Sequence, residues 1–231
     1  MNDTGDVRRP RPARRRRPIV AACAVLLLII LLVVADRAAA AYAEHRMAQE
    51  IRKEGFPAAP DVTIKGVPFL TQVASRDFPD VRLKARDIAE GPLNITRLDV
   101  RARDVHLDSG FRSGTLGTVD GTAFVSFGDL AKAGGDPDLE LSADGPDKVR
   151  AKVDLAITEV TATARVTKEG DAIRVQALAV EGLPLDDLGD ALDFTVPVRG
   201  LPLGLAFQSL TVSEHGIGLR VTGRNVAFTD R

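Results

Sequence analysis

VRLKARDIAEGPLNITRLDVRAR, residues Val81 to Arg103, decides the fold class. Val81, Leu83 and Ala85 alternate with Arg82, Lys84 and Arg86. Leu98, Val100 and Ala102 alternate with Asp99, Arg101 and Arg103. A period of two places apolar side chains on one face of a strand and charges on the other. Gly91-Pro92 between the runs is turn chemistry, and so short a gap makes the strands antiparallel neighbours. One face of this hairpin is wet and the other covers something.

The same period recurs outward from the hairpin. Val62 and Ile64 alternate with Thr63 and Lys65, and Val149 to Ile157 alternates with Arg150, Lys152, Asp154 and Ala156. Val160 to Val166, Ile173 to Ala179, Leu210 to Val212, Ile217 to Val221 and Val226 to Phe228 continue it. The breaks are turn residues: Asp80 after Pro79, Ser109-Gly110, Lys168 to Asp171, and Glu214 to Gly216. Together they predict a meandering antiparallel sheet. Two short helices interrupt it. Ser126 to Asp129 is a capping box with Asp in place of Glu, opening Phe127 to Ala133 before Gly134-Gly135. Leu185, Leu188 and Leu192 fall on one helical face. Asp136 to Pro146 reads as a polar loop, and GLPL at Gly182 to Leu185 and Gly200 to Leu203 as two similar turns.

Upstream the character changes. Ile19 to Ala35 holds neither charge nor amide, and as a helix it spans about 25 Å, enough to cross a thinned hydrocarbon core of about 30 Å. Seven arginines (Arg8, Arg9, Arg11, Arg14 to Arg17) precede it against Asp3 and Asp6, which holds the N-terminus in the cytoplasm. The expected organisation is a disordered basic cytoplasmic tail (1–18), a transmembrane helix (19–35) and an extracytoplasmic domain (36–231). A cleaved signal peptide, cut among Ala38 to Ala43, is the competing reading. Lipidation at Cys23 is a third, weakened because the cysteine opens the apolar run instead of following it. Arg37 to Glu54 is a further helix, with Ala40, Ala43, Met47 and Ile51 on one face and Gly55 and Pro57 to stop it. It either continues the membrane helix as a stalk or lies against the sheet, and the stripe favours the sheet.

Residues 38–231 carry 23 Lys and Arg against 29 Asp and Glu. That acidic balance argues against nucleic acid as a partner. The arginine run beside a membrane segment reads as topology signal and anionic-lipid contact. The lone Cys23 leaves the domain no disulfide and no thiolate chemistry. His45, His106 and His215 share no metal-ligand spacing. No nucleophile elbow, P-loop or dinucleotide fingerprint occurs, and every Asp and Glu is accounted for by strand surfaces and turns. No catalytic residue, metal or cofactor is expected.

Two stretches are more specific. One is Ile64-Lys-Gly-Val-Pro-Phe-Leu-Thr-Gln-Val73, followed by Phe78-Pro-Asp-Val-Arg-Leu83. The other runs from Leu185-Asp-Asp-Leu188 through Phe194 to Leu205, then Val212 to Gly216 and Val221 to Val226. Together they resemble the actinobacterial LmeA-like family. Its members carry an N-terminal membrane segment or signal, a G-x-P-F-L-T-Q motif, complete here at Gly66 to Gln72, and a Leu-Pro-x-Gly-Leu turn before the last hairpin. The resemblance covers roughly residues 40–230. It implies phospholipid binding in the cell envelope, on an α+β fold in which a long curved antiparallel β-sheet wraps an N-terminal helix, as in tubular lipid-binding (TULIP/BPI-like) domains. Some members are linked to maturation of lipomannan-type glycolipids.

An apolar sheet face with one long helix leaves surface that acyl chains would cover, each buried CH₂ contributing about 0.8 kcal/mol. Its own side chains filling the core would serve equally. Phe69 and Leu70 are the leading lipid contacts, because Pro68 marks an edge or bend where apolar residues need a partner. Val67 and Pro68 belong to the same segment, and Phe56, Phe78, Phe111, Phe124, Phe127 and Leu130 are weaker candidates that read more readily as core. Gly66 serves backbone geometry; Thr71 and Gln72 hold the turn or meet a headgroup. The reading is a single-pass envelope protein that binds phospholipid and does no covalent chemistry. Its rivals are a structural adaptor that recruits an envelope protein partner through a sheet edge, and an enzyme acting on lipid-linked sugars.

Overall fold

The computed structural model describes residues 16–53, 57–154, 159–181, 193–198 and 205–229. Helix α1 (Arg16–Lys53) is continuous, so the apolar run and the expected helix at 37–54 are one rod. No Gly or Pro follows Pro18 to break it, and a proline in the first turn is tolerated. The rod is long and apolar enough to cross a membrane. Its first half is bare, with Val20 and Val25 to Val34 exposed. Its second half lies along strand β1 (Asp61–Lys65) and buries Ala40 and Ala48. The expected stripe turns slightly: Met47 is exposed, while Glu44 faces inward and its Oε1 accepts the Ile64 N–H at 2.7 Å. That bond satisfies a backbone donor on an edge strand that has no neighbour there.

After β1 comes a short helix, α2 (Phe69–Ser75), then three long strands: β2 (Asp77–Glu90), β3 (Leu93–Leu107) and β4 (Ser113–Ser126). Helix α3 (Phe127–Gly134) follows, capped by Ser126, whose hydroxyl accepts the Asp129 N–H, and closed by left-handed Gly135. Next are β5 (Glu140–Ala143), β6 (Lys148–Asp154), β7 (Glu159–Glu169), β8 (Ala172–Val180) and β9 (Phe194–Pro197). The chain ends on β10 (Ala206–Ser213) and β11 (Gly216–Thr229). All pairing is antiparallel, in a curled six-stranded sheet ordered β1-β2-β3-β4-β11-β10 and a five-stranded sheet ordered β5 to β9. The meander holds within β1 to β4 and within β5 to β9. The last hairpin returns across the molecule to pair β11 with β4.

Two expected breaks are strand. β5 forms inside the supposed polar loop 136–146, because Leu141 pairs with Ala151 and half-buries its side chain. Pro79-Asp80 lies within β2 instead of ending it. The helix expected at Leu185 to Leu192, both GLPL turns, Gly55, Phe56 and residues 1–15 lie outside the described residues.

Pro79 belongs to a line that crosses the sheet. Pairing lapses at Pro79 and Asp104 between β2 and β3, at Asp104 and Gly117 between β3 and β4, and at Gly117 and Asn225 between β4 and β11. Asp104 and Asn225 are left-handed, with φ 54° and 49°. Asp and Asn tolerate that conformation best among residues with side chains. Across the line the inward positions are three apart instead of two: Phe78 and Val81, Ala102 and Val105, Leu116 and Val119, Gly223 and Val226. A local irregularity of this kind bends a strand and adds twist, and four in register fold the sheet along one crease.

The core has two main parts. On the α1 side of the crease, Ala40, Ile64, Phe69, Phe78 and Val105 form a small cluster beneath the rod. At the far end Val125, Leu130, Val149, Val166, Ile173, Val175, Val196, Ile217 and Leu219 join the two sheets face to face, with α3 closing one side. Sheet faces packed in this way interdigitate to a layer about 10 Å thick.

Candidate functional site

The two clusters leave a gap on the apolar face. One rung of the curled sheet runs Val62, Leu83, Val100, Gly121, Val221 and Phe207 across all six strands. Its ends are buried. Leu83 and Val100, paired at its middle, are only half-buried and join neither cluster. Gly121 beside them contributes no side chain, and a Cβ there would come within 2.7 Å of Val221. The result is an apolar strip, open at Leu83 and Val100, between a floor closed by α1 and a floor closed by the second sheet.

The strip leads to the G-x-P-F-L-T-Q segment. Gly66 sits at φ 106°, and a Cβ there would meet Gln72 Nε2 at 2.7 Å, so any side chain at the first motif position is strained. Phe69 points into the small cluster, its ring 6.4 Å from that of Phe78. Thr71 Oγ1 donates to the Pro68 carbonyl at 2.8 Å. Gln72 is buried, and its Oε1 has no partner among the described residues.

Pro68 offers α2 no side-chain cap. Asp36 of α1 supplies one. Its carboxylate accepts the Phe69 N–H at 2.9 Å and the Leu70 N–H at 2.8 Å, and the Arg37 guanidinium donates to it at 2.7 Å. The N–H groups of Leu70 and Phe69 hold its carboxyl below the ordinary range, outweighing the opposing effect of burial. Arg37 also donates to the Gly66 carbonyl. The motif is therefore bolted to α1 at the residue where the apolar run stops.

The opposite face of the sheet is charged. Asp80 accepts from Arg82 and Arg101, the latter through a short bidentate contact. Burial opposes ionisation of Asp80, but these guanidinium bonds win and its carboxyl lies below the ordinary range. Arg97 lies 5.7 Å over the Phe124 ring beside a shallow depression of about 430 Å³. Among the described residues, no three His, Cys, Asp or Glu side chains gather as metal ligands would.

The candidate contacts thus divide. Phe69 and Phe78 are buried together, and Val67, Pro68 and Leu70 stand exposed beside them. Phe111 is exposed at the tip of the β3–β4 hairpin, at the same end of the sheet. Phe124 faces the charged side, and Phe127 and Leu130 are buried between the sheets. Asp36, Leu83 and Val100 were not among the candidates. The signal for Asp36 was a lone carboxylate ending the apolar run; Leu83 and Val100 were visible only as members of an alternation.

A protein-family model described as LmeA-like phospholipid-binding matches residues 34–222. The chain matches no curated protein and no solved structure.

Proposed function

We propose, because this chain belongs to the LmeA-like phospholipid-binding family, that it holds phospholipid acyl chains against the strip at Leu83 and Val100. The observation that carries the reading is that Leu83 and Val100, at the middle of the apolar face, are half-buried and packed into neither cluster. An acyl chain laid along it would remove the exposed parts of Leu83 and Val100 from water, at about 25 cal/mol per Å² buried. Phe69 and Phe78 form the closed end of the strip next to α1.

The protein is read as a single-pass envelope protein, with its N-terminus cytoplasmic and its domain outside. It handles lipid locally, in transfer, presentation or glycolipid maintenance, without covalent chemistry. The Asp36 bonds support an anchor over a cleaved signal, since a cut among Ala38 to Ala43 would remove the cap of α2. A second reading, an adaptor with a filled core, draws on the burial of Phe69, Phe127 and Leu130.

Photocrosslinking separates the two. The full chain is irradiated with a phospholipid bearing a diazirine on its acyl chain and mapped by mass spectrometry. Adducts at Leu83, Val100 and their neighbours support the proposal. Adducts confined to residues 20–34 would sink it, because those residues touch bulk bilayer in any case.

A further inference from the structure

Where α1 leaves the domain, three apolar side chains point away from it. Val67 is 71% exposed, Leu70 51% and Phe111 49%. They come from separate segments brought to one end of the sheet. Val67 and Leu70 flank the start of α2. Phe111 tips the β3–β4 hairpin, whose base is tied to the C-terminus of α2 by the Leu107 N–H donating to the Arg76 carbonyl at 3.0 Å. Phe111 is also left-handed, at φ 57°. For a bulky residue that conformation is strained, and the ring is left half-exposed.

The height of this end relative to a bilayer is fixed by bonds. Leu70 N lies 2.8 Å from the carboxylate of Asp36, the first charge after the apolar run. That run, Ile19 to Ala35, spans about 25 Å against a hydrocarbon core of about 30 Å. A short span is accommodated by drawing its flanks toward the membrane, and here the flank carries α2 with it. Three exposed cations stand around the apolar tip, Lys65, Arg76 and Arg112, while Arg37 is paired with Asp36. Two acids stand nearby, each held by its own neighbours, and leave the rim a small net positive charge. Asp77 lies 3.2 Å from His106, and Asp108 accepts the N–H groups of Gly110 and Arg112 and the Ser113 hydroxyl.

We propose that Val67, Leu70 and Phe111 form a membrane seat, inserted at the headgroup boundary of the bilayer that α1 crosses, with the surrounding cations on anionic headgroups. The pattern of apolar tip and basic rim is that of an interfacial binding surface. The seat places the end of the domain in the lipid itself, so a chain entering it does not cross water. The inference rests on reading α1 as an anchor, and it stands whether or not the strip at Leu83 holds lipid.

The chain contains no tryptophan, so single reporters are clean. Val67→Trp, Leu70→Trp and Phe111→Trp are each made in the full chain and reconstituted in nanodiscs of phosphatidylcholine and phosphatidylglycerol, with and without shallowly brominated lipid. Ala89→Trp, on the far hairpin, is the control. The expected result is several-fold bromine quenching at 67, 70 and 111 and none at 89. Quenching at all three no greater than at 89 overturns the seat. So does blue-shifted emission that bromine leaves unchanged, which would place the patch against a second copy of the chain or another protein. Alkaline extraction of cell membranes carrying the full chain tests the anchor separately. Release overturns anchor and seat together, whereas retention without quenching overturns the seat alone. Should Phe111→Trp fail to fold, the reporters at 67 and 70 decide.

Discussion

Val100→Trp distinguishes a lipid-holding strip from a filled core. Val100 pairs with Leu83 on β2 and Gly121 on β4, and it is half-buried at the middle of the apolar rung. The Trp side chain exceeds that of Val by about seven heavy atoms and would lie over the opening. If it displaces about four methylenes of a bound chain, at about 0.8 kcal/mol each, binding weakens by about 3 kcal/mol. That is a loss on the order of 100-fold in affinity. Unliganded stability should stay within about 1 kcal/mol, since the ring fills open space. In a filled core the same substitution overpacks and costs about 1–3 kcal/mol. The assay pairs a fluorescent-phospholipid displacement titration with urea unfolding of the delipidated full chain. Loss of affinity at unchanged stability fits the strip. Unchanged affinity with a destabilised fold would refute it.

Three other outcomes follow from the geometry. Asp36→Asn removes the charge that caps α2, so hydrogen exchange at the Phe69 and Leu70 amides should quicken. The depressed carboxyl stabilises the fold fully above its ordinary value of 3.8 and loses that contribution as pH falls through its folded value, so the variant should also show a flatter acid limb in a pH titration of stability. Gly66→Ala forces a Cβ into φ 106° and against Gln72, and should cost about 1–3 kcal/mol in thermal or urea unfolding. Leu130→Ala empties a fully buried site between the sheets and should cost about 3 kcal/mol while leaving lipid affinity unchanged; a specific loss of affinity would move Leu130 back among the lipid contacts.

Much of this architecture is legible in strand alternation because each half-buried strand prints its two faces into the sequence. Val81 to Arg103 shows both faces and the turn between them, and Ser126 to Asp129 announces α3. The crease was harder to see. Pro79 read as a turn, Asp104, Gly117 and Asn225 drew no reading of their own, and only the register shows that the four align. The return of β11 to β4 pairs residues from 90 (Ser126 and Gly216) to 116 (Ser113 and Thr229) apart, which no local pattern encodes. The site was legible in part. The motif marked Phe69 and Leu70, but whether an apolar residue is covered depends on what packs over it. Phe127 and Leu130 are covered by the second sheet, while Leu83 and Val100, with the same alternation, are left half-open.

Native mass spectrometry of the full chain, released from membranes and exchanged through lipid-free detergent, tests the central claim most directly, with lipids extracted from the same sample. The account predicts phospholipid retained at a fixed ratio to protein and lost from Val100→Trp. A lipid-free mass for the wild-type chain, unchanged after incubation with liposomes, would contradict it and leave the apolar face a filled core.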